Sequence, residues 1–192
     1  MKKQPEITAR TKKAFIDSFC ELYSKKPIEK ISVQEITNKA GYNRSSFYQH
    51  FCDIYELLDC LENDVLDSIH QKLSDCKGSI SEVISVLEER KFYLNALFGD
   101  YGNSHFIERL KASIPFEAHK LNTLKDDPIT PYLMEFHLTT VFSLYRLWHR
   151  KNRDMPPEEL LNLVSQLYTG GISAVNNLAK DIPISKEKRS GG

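Results

Sequence analysis

The sequence predicts an all-α protein: an N-terminal three-helix unit containing a helix-turn-helix, joined by a long helix to a helical body. Apolar residues recur at i, i+3, i+4 spacing along most of the 192 residues, without the strict alternation of a half-buried strand. The breaks between periodic stretches fall on Gly- and Pro-bearing segments, GDYGN (99–103), DDPITP (126–131) and DMPP (154–157). Near the N-terminus two short helical segments meet at Ala40-Gly41, the tight connection of a helix-turn-helix.

The first helix is written in TARTKKAFIDSFCELYSKK, where Ala14, Phe15, Ser18, Phe19, Leu22 and Tyr23 form one stripe behind a basic leading end, and Pro27 stops it. Ser32 with Glu35 three residues later is a capping box for a second helix whose inner edge is Val33, Ile36 and Thr37. Asn43 suits the N-cap of a short third helix reaching about Phe51, and Asp53 caps a fourth. The fourth carries Ile54, Leu57, Leu58, Leu61, Val65, Ile69 and Leu73 on one stripe and ends at Gly78-Ser79. Further helices are expected at about 80–98, 104–122, 130–150 and 157–179. The domain division expected is 1–52 for the helix-turn-helix, 53–180 for the body and 181–192 for a polar, flexible tail.

Composition is that of a soluble globular protein, 41% hydrophobic and 27% charged, with no apolar run near the roughly 20 residues that cross a bilayer. MKKQPEITARTKK lacks the apolar core of a signal peptide, so a cytoplasmic protein with no membrane partner is expected. Cys20, Cys52, Cys60 and Cys76 make no CxxC pair and no Cys/His cluster, so they read as reduced thiols and no metal site is expected; Cys52 is the candidate if one senses redox state. Net charge is zero but unevenly spread. Residues 1–52 hold ten Lys/Arg against five Asp/Glu, and residues 53–192 hold sixteen against twenty-one. The basic end suits a polyanion.

The third helix sharpens that reading. At 100° per residue Phe47 and Phe51 share an inner edge, and Ser45 and Gln49 lie opposite, flanked by Ser46 and Tyr48. No acid occurs from Asn43 to Phe51, and Arg44 and His50 stand at the ends. Hydroxyls, an amide, a phenol and a guanidinium without a carboxylate suit a helix beside phosphates and base edges. An ordinary solvated polar face is the alternative.

Residues 8–58 resemble the DNA-binding domain of the TetR family of bacterial transcriptional regulators. The likeness rests on the amphipathic first helix, on ISVQEITNKAGYNRSSFYQHF with its Tyr48-x-His50-Phe51 ending, and on Glu56-Leu57-Leu58 opening the connecting helix. It implies a non-enzymatic, cofactor-free, homodimeric repressor reading a palindrome in double-stranded DNA and released by a small-molecule effector of unknown identity. By position, Ser32 would meet a phosphate, and Tyr42, Asn43, Arg44 and Ser45 would approach the major groove. Ser45 and Gln49 are best aimed at base edges, with Tyr48 and His50 on the phosphates. Plainer roles compete at three of these positions: Tyr48 packing on the first helix, His50 bonding between helices, Ser32 as a cap only. The family's Lys near the start of the fourth helix is replaced by Ile54, beside Asp53. That departure leaves room for an adaptor that keeps the fold and binds a protein. Repression and activation are not distinguished by any residue.

In the body, the last helix offers Leu160, Leu163, Val164, Leu167, Gly170, Gly171, Ala174 and Leu178 as a dimer face, with Phe136, Leu144, Leu147 and Trp148 of the preceding helix. Two mid-helix glycines cost about 1 kcal/mol each relative to Ala, which close helix packing would explain. An effector pocket would draw on Tyr93, Phe98, Phe106, Phe116, His119, Phe136 and His137, although aromatic stripes are more often core. Catalysis has no support: no phosphate loop, nucleophile elbow or metal-spaced set is present.

Overall fold

The computed structural model describes residues 5–75, 80–114 and 127–181, with side chains over 6–72, 84–114 and 127–171. Among these residues there are nine α-helices and no strand: α1 Pro5–Tyr23, α2 Val33–Ala40, α3 Arg44–Tyr48, α4 Ile54–Asp75, α5 Ile80–Glu89, α6 Lys91–Leu97, α7 Ser104–Ala112, α8 Thr130–Arg150 and α9 Pro157–Asp181. A 3-10 turn spans Ile28–Lys30. The chain divides into two compact units, 1–152 and 153–192, so α1–α8 lie in the first and α9 in the second.

Local chemistry sets most boundaries. α1 ends at Tyr23, where the Ser24 hydroxyl donates to the Glu21 carbonyl, and Pro27 then enforces extended backbone before the 3-10 turn. The Ser32 side chain accepts from the Glu35 N–H while Glu35 accepts from the Ser32 N–H, a complete capping box that fixes the start of α2. Gly41 closes α2 at φ 74°, a left-handed value at which a Cβ would strain the chain. Asn43 caps α3. The Asp53 carboxylate accepts from the Tyr55 and Glu56 N–H groups at 2.8 Å, and Glu56 accepts from the Cys52 N–H, starting α4 in the same reciprocal way.

α1 packs on α2, α4 and α6, and α4 on α5, while α2 lies against α3 and α7 against α8. Phe15 and Phe19 of α1, Ile36, Phe47, and Leu57, Leu61, Val65 and Ile69 of α4 are completely buried. Each such side chain stabilises by roughly 1.5–3 kcal/mol relative to exposure. A second aromatic centre joins α6, α7 and α8: Phe98 lies edge-on to Phe106 at 5.8 Å and to Tyr145 at 5.5 Å. Arg146 donates to the Phe98 and Gly99 carbonyls, tying α8 to the end of α6. At Gly102 a Cβ would sit 2.0 Å from the Leu97 carbonyl oxygen, so the GDYGN turn needs that glycine.

Three expected boundaries move. The helix anticipated at 80–98 is two helices, with Arg90 between them at φ −101°, ψ 17°. No Gly or Pro marks that break. Arg90 instead sends its guanidinium to Asp64 and Ser68 on α4. The helix expected at 104–122 ends at Ala112, where the Ser113 hydroxyl donates to the Leu110 carbonyl; 115–126 lies outside the described residues. α3 stops at Tyr48 rather than near Phe51. The expected tail, 182–192, also lies outside them.

Candidate nucleic-acid interface

The candidate interface is the outer face of α3, held from within by rings. Phe47 is fully buried and meets Phe15 of α1 edge-on at 5.4 Å. Phe51 stacks obliquely on Phe47 at 5.5 Å, and the Lys12 ammonium lies 5.7 Å from the Phe51 ring centroid. The orientation of α3 on α1 is therefore fixed by apolar packing on one side only, which leaves the other side to solvent or ligand.

Asn43, Arg44, Ser45, Tyr48 and Gln49 are exposed on that other side. Asn43 Oδ1 accepts from Ser45 Oγ (2.7 Å), Ser46 N (2.8 Å) and Ser46 Oγ (2.9 Å), so the cap carbonyl is fully engaged in starting the helix. Arg44 Nη2 donates to Tyr48 Oη at 3.2 Å, with the guanidinium 5.9 Å from the ring centroid. Tyr42 and His50 are half-buried beside Phe15, at ring separations of 5.4 and 6.1 Å. Their rings serve the joint between helices. Ser32 is exposed, yet its hydroxyl donates to the Glu35 carboxylate at 2.9 Å, so its proton is directed away from any phosphate.

The charge around this face is partly neutralised from within. Lys26 pairs with Glu35, Lys39 with Glu21 and Lys13 with Asp17. Lys26, and then Ser32, hold the Glu35 carboxyl below the ordinary carboxylate range. At the start of α4 the Cys52 backbone N–H does the same for Glu56. The Glu56 carboxylate pushes the exposed Cys52 thiol above its usual value, which lowers its thiolate fraction and opposes a redox-sensing role.

The other candidates are dispersed. Phe98 and Phe106 are core, His137 is buried, and Phe136 is 56% exposed, so these do not share a cavity wall. Tyr93 lines an open groove of about 370 Å³ with Lys13, Asp17 and Arg90, and donates to Asp17 at 3.1 Å. Phe116 and His119 lie outside the described residues. Of the dimer candidates, Trp148 belongs to the chain's own core, 5.6 Å from the Tyr145 ring, and Leu160 and Val164 are buried too. Leu147, Leu163 and Leu167 are exposed, Leu144 and Gly171 half-buried, and Gly170 faces open space. The side chains of Ala174 and Leu178 are outside the described set.

Sequence reasoning missed the grip on α4. Arg109 of α7 donates to Glu62 Oε2 at 2.7 Å and to Asn63, while Arg90 holds Asp64 and Ser68. Glu62 is 1% exposed, and its Oε1 has no hydrogen-bond partner among the described residues. A signal existed: Glu62 lies four residues after Leu58 and three before Val65, on the apolar stripe.

Residues 15–61 match the family model described as bacterial regulatory proteins, tetR family. Among solved structures the chain is similar to a TetR transcriptional regulator from Streptococcus agalactiae 2603V, at 20% identity and TM-score 0.65, over 85% of this chain and 96% of that one. It is also similar to the dihydroxyacetone kinase operon activator DhaS, at 20% identity and TM-score 0.59, over 85% and 97%. At that identity the likeness speaks to the fold. None of the curated proteins matches the sequence. Among the described residues no helix is long and apolar enough to cross a membrane. The matched segment runs from Phe15 on α1 through α2 and α3 into α4, so the ring-braced helix-turn-helix is the part of this chain that matches the model of bacterial regulatory proteins, tetR family.

Proposed function

We propose that this DNA-binding transcriptional regulator acts in the cytoplasm as a homodimer on a palindromic operator. The observation that carries the DNA reading is the outer face of α3, exposed and without a carboxylate, fixed by Phe47 and Phe15 beneath it. Contacts would come chiefly from Arg44, Ser45, Tyr48 and Gln49. Asn43, Tyr42 and His50 would hold the helix in place, and Ser32 would act first as a cap.

Two copies on a two-fold axis place two such helices one DNA turn apart. The dimer reading is supported by apolar side chains left in solvent on α8, with Tyr132 76% exposed alongside Phe136 and Leu147. On α9, Leu163, Leu167 and the open flank at Gly170 offer a surface of the same kind. A small-molecule effector would act by shifting α4 and so the spacing of the two reading heads. The structural neighbour described as an operon activator keeps activation beside repression as the regulatory sign.

One observation favours a second reading, an adaptor bound to protein instead of DNA: the start of α4 carries Asp53 and Glu56 where a phosphate-binding cation would be useful. Selection of bound sequences from random duplex DNA at two salt concentrations separates the two. An enriched palindrome, lost with Gln49→Ala, supports the regulator, and binding should fall steeply with salt. A folded dimer that enriches nothing would replace it with the adaptor.

A further inference from the structure

The exposed arginine of α3 is braced onto the core. Arg44 Nη2 donates to Tyr48 Oη at 3.2 Å, and the guanidinium lies 5.9 Å from the Tyr48 ring centroid. That ring meets Phe47 at 5.6 Å and 89°, and Phe47 is fully buried against Phe15. A chain of three rings thus runs from α1 to an exposed cation. A surface arginine ordinarily gives up its rotamer freedom when a ligand fixes it. Here part of that ordering is done before any ligand arrives.

The neighbouring groups leave the guanidinium uncontested. The acceptor one residue before it, Asn43 Oδ1, is filled by three donors from Ser45 and Ser46. No carboxylate occurs between Asn43 and Phe51. Arg44 has five N–H donors in a planar fork, and the Tyr48 hydroxyl takes one. What remains is a pair of parallel donors. Among the bases, guanine alone presents two acceptors, O6 and N7, side by side in the major groove.

We propose that Arg44 reads a guanine in each half-site through O6 and N7, and that Tyr48 is the positioning residue that presents it. The proposal rests on the DNA-binding reading above and adds which base the head requires. Tyr48 keeps its own hydroxyl hydrogen for a phosphate, so one phenol would link the base contact to the backbone contact.

The test starts from the duplex selected by the full-length protein. Each conserved guanine is replaced in turn by 7-deazaguanine, which lacks N7, and by hypoxanthine, which keeps both O6 and N7. At one position per half-site, 7-deazaguanine should weaken binding roughly five- to a hundredfold, while hypoxanthine changes it little. Arg44→Lys should bring the ratio of guanine to 7-deazaguanine affinity close to one. Tyr48→Phe, which keeps the ring on Phe47, should reduce that ratio without changing the thermal melt. Loss of overall affinity with the ratio intact would make Tyr48 a phosphate contact only and overturn its positioning role. A selected sequence whose binding is insensitive to 7-deazaguanine, or an Arg44→Lys variant with an unchanged ratio, would overturn the guanine assignment and leave DNA binding standing. A folded protein that selects nothing would remove both.

Discussion

In the first three helices the side chains that set the geometry are rings: Phe15 of α1 meets Phe47 of α3 at 5.4 Å, and Phe47 meets Phe51, just beyond α3, at 5.5 Å. In the middle of α4 the work is done by charge, with Arg90 on Asp64 and Ser68 and Arg109 on Glu62 and Asn63. Ring packing has one good arrangement and resists deformation, because interdigitated apolar surfaces lose contact energy as soon as they separate. An ion pair with one buried member is different. Its attraction is largely offset by desolvation, so its geometry can be exchanged for another at modest net cost. The first three helices are therefore held together by contacts that resist deformation, and the middle of α4 by ties whose geometry is cheaper to exchange.

The contrast is broken most severely from the ring side. Phe47→Ala removes the centre of the brace and should destabilise by about 3–5 kcal/mol, with loss of DNA binding. Urea unfolding gives the number, and Phe47→Leu should cost much less because volume is nearly kept. An alanine variant that unfolds like the native chain would mean the rings touch without holding.

On the charge side, Arg109→Ala removes the cation from Glu62 Oε2, on a carboxylate that is 1% exposed and whose Oε1 already has no hydrogen-bond partner among the described residues. Removing one member of a buried pair costs about 3–5 kcal/mol, but the Arg109 side chain is 29% exposed, so water can partly replace it and about 2 kcal/mol is expected. Adding Glu62→Gln should recover much of that loss, since a neutral amide needs no cation. Non-recovery in the double variant would show that Arg109 acts through packing.

These two regions were also unequally legible. The head could be read because its cues are local: Ser32 with Glu35, Gly41, Asn43, and aromatics at 47 and 51 all lie within twenty residues. The end of α3 at Tyr48 has no such cue, since so short a helix can stop without a breaker. The ties on α4 join residues 22 to 47 positions apart, and periodicity carries no information at that separation. The same blindness fused α5 with α6, because Arg90 breaks the helix through a tertiary partner and not through its propensity. At the site, exposure agrees with the expected face at Arg44, Ser45, Tyr48 and Gln49. Which hydroxyls are already engaged, as at Ser32 and Ser45, depends on bond directions that a one-dimensional pattern does not encode.

The smallest effect separates the regions by sign. Burial raises the Glu62 carboxyl above its ordinary range, against the pull of Arg109. The native state then holds that proton more tightly than the unfolded chain, so the contribution of Glu62 is most favourable below the ordinary carboxylate range and falls as pH rises through the native value. Glu35 in the head has the opposite character, its carboxyl lowered by Lys26 and Ser32, so its contribution is present above the ordinary range and lost on acidification. Glu62→Gln should therefore gain on the native chain between about pH 4 and about pH 7, whereas Glu35→Gln should lose over the same interval. Urea midpoints at the two pH values read both slopes. Parallel slopes would mean that Glu62 stays ionised and satisfied by Arg109 at both values, and that the middle of α4 is held as firmly as the head.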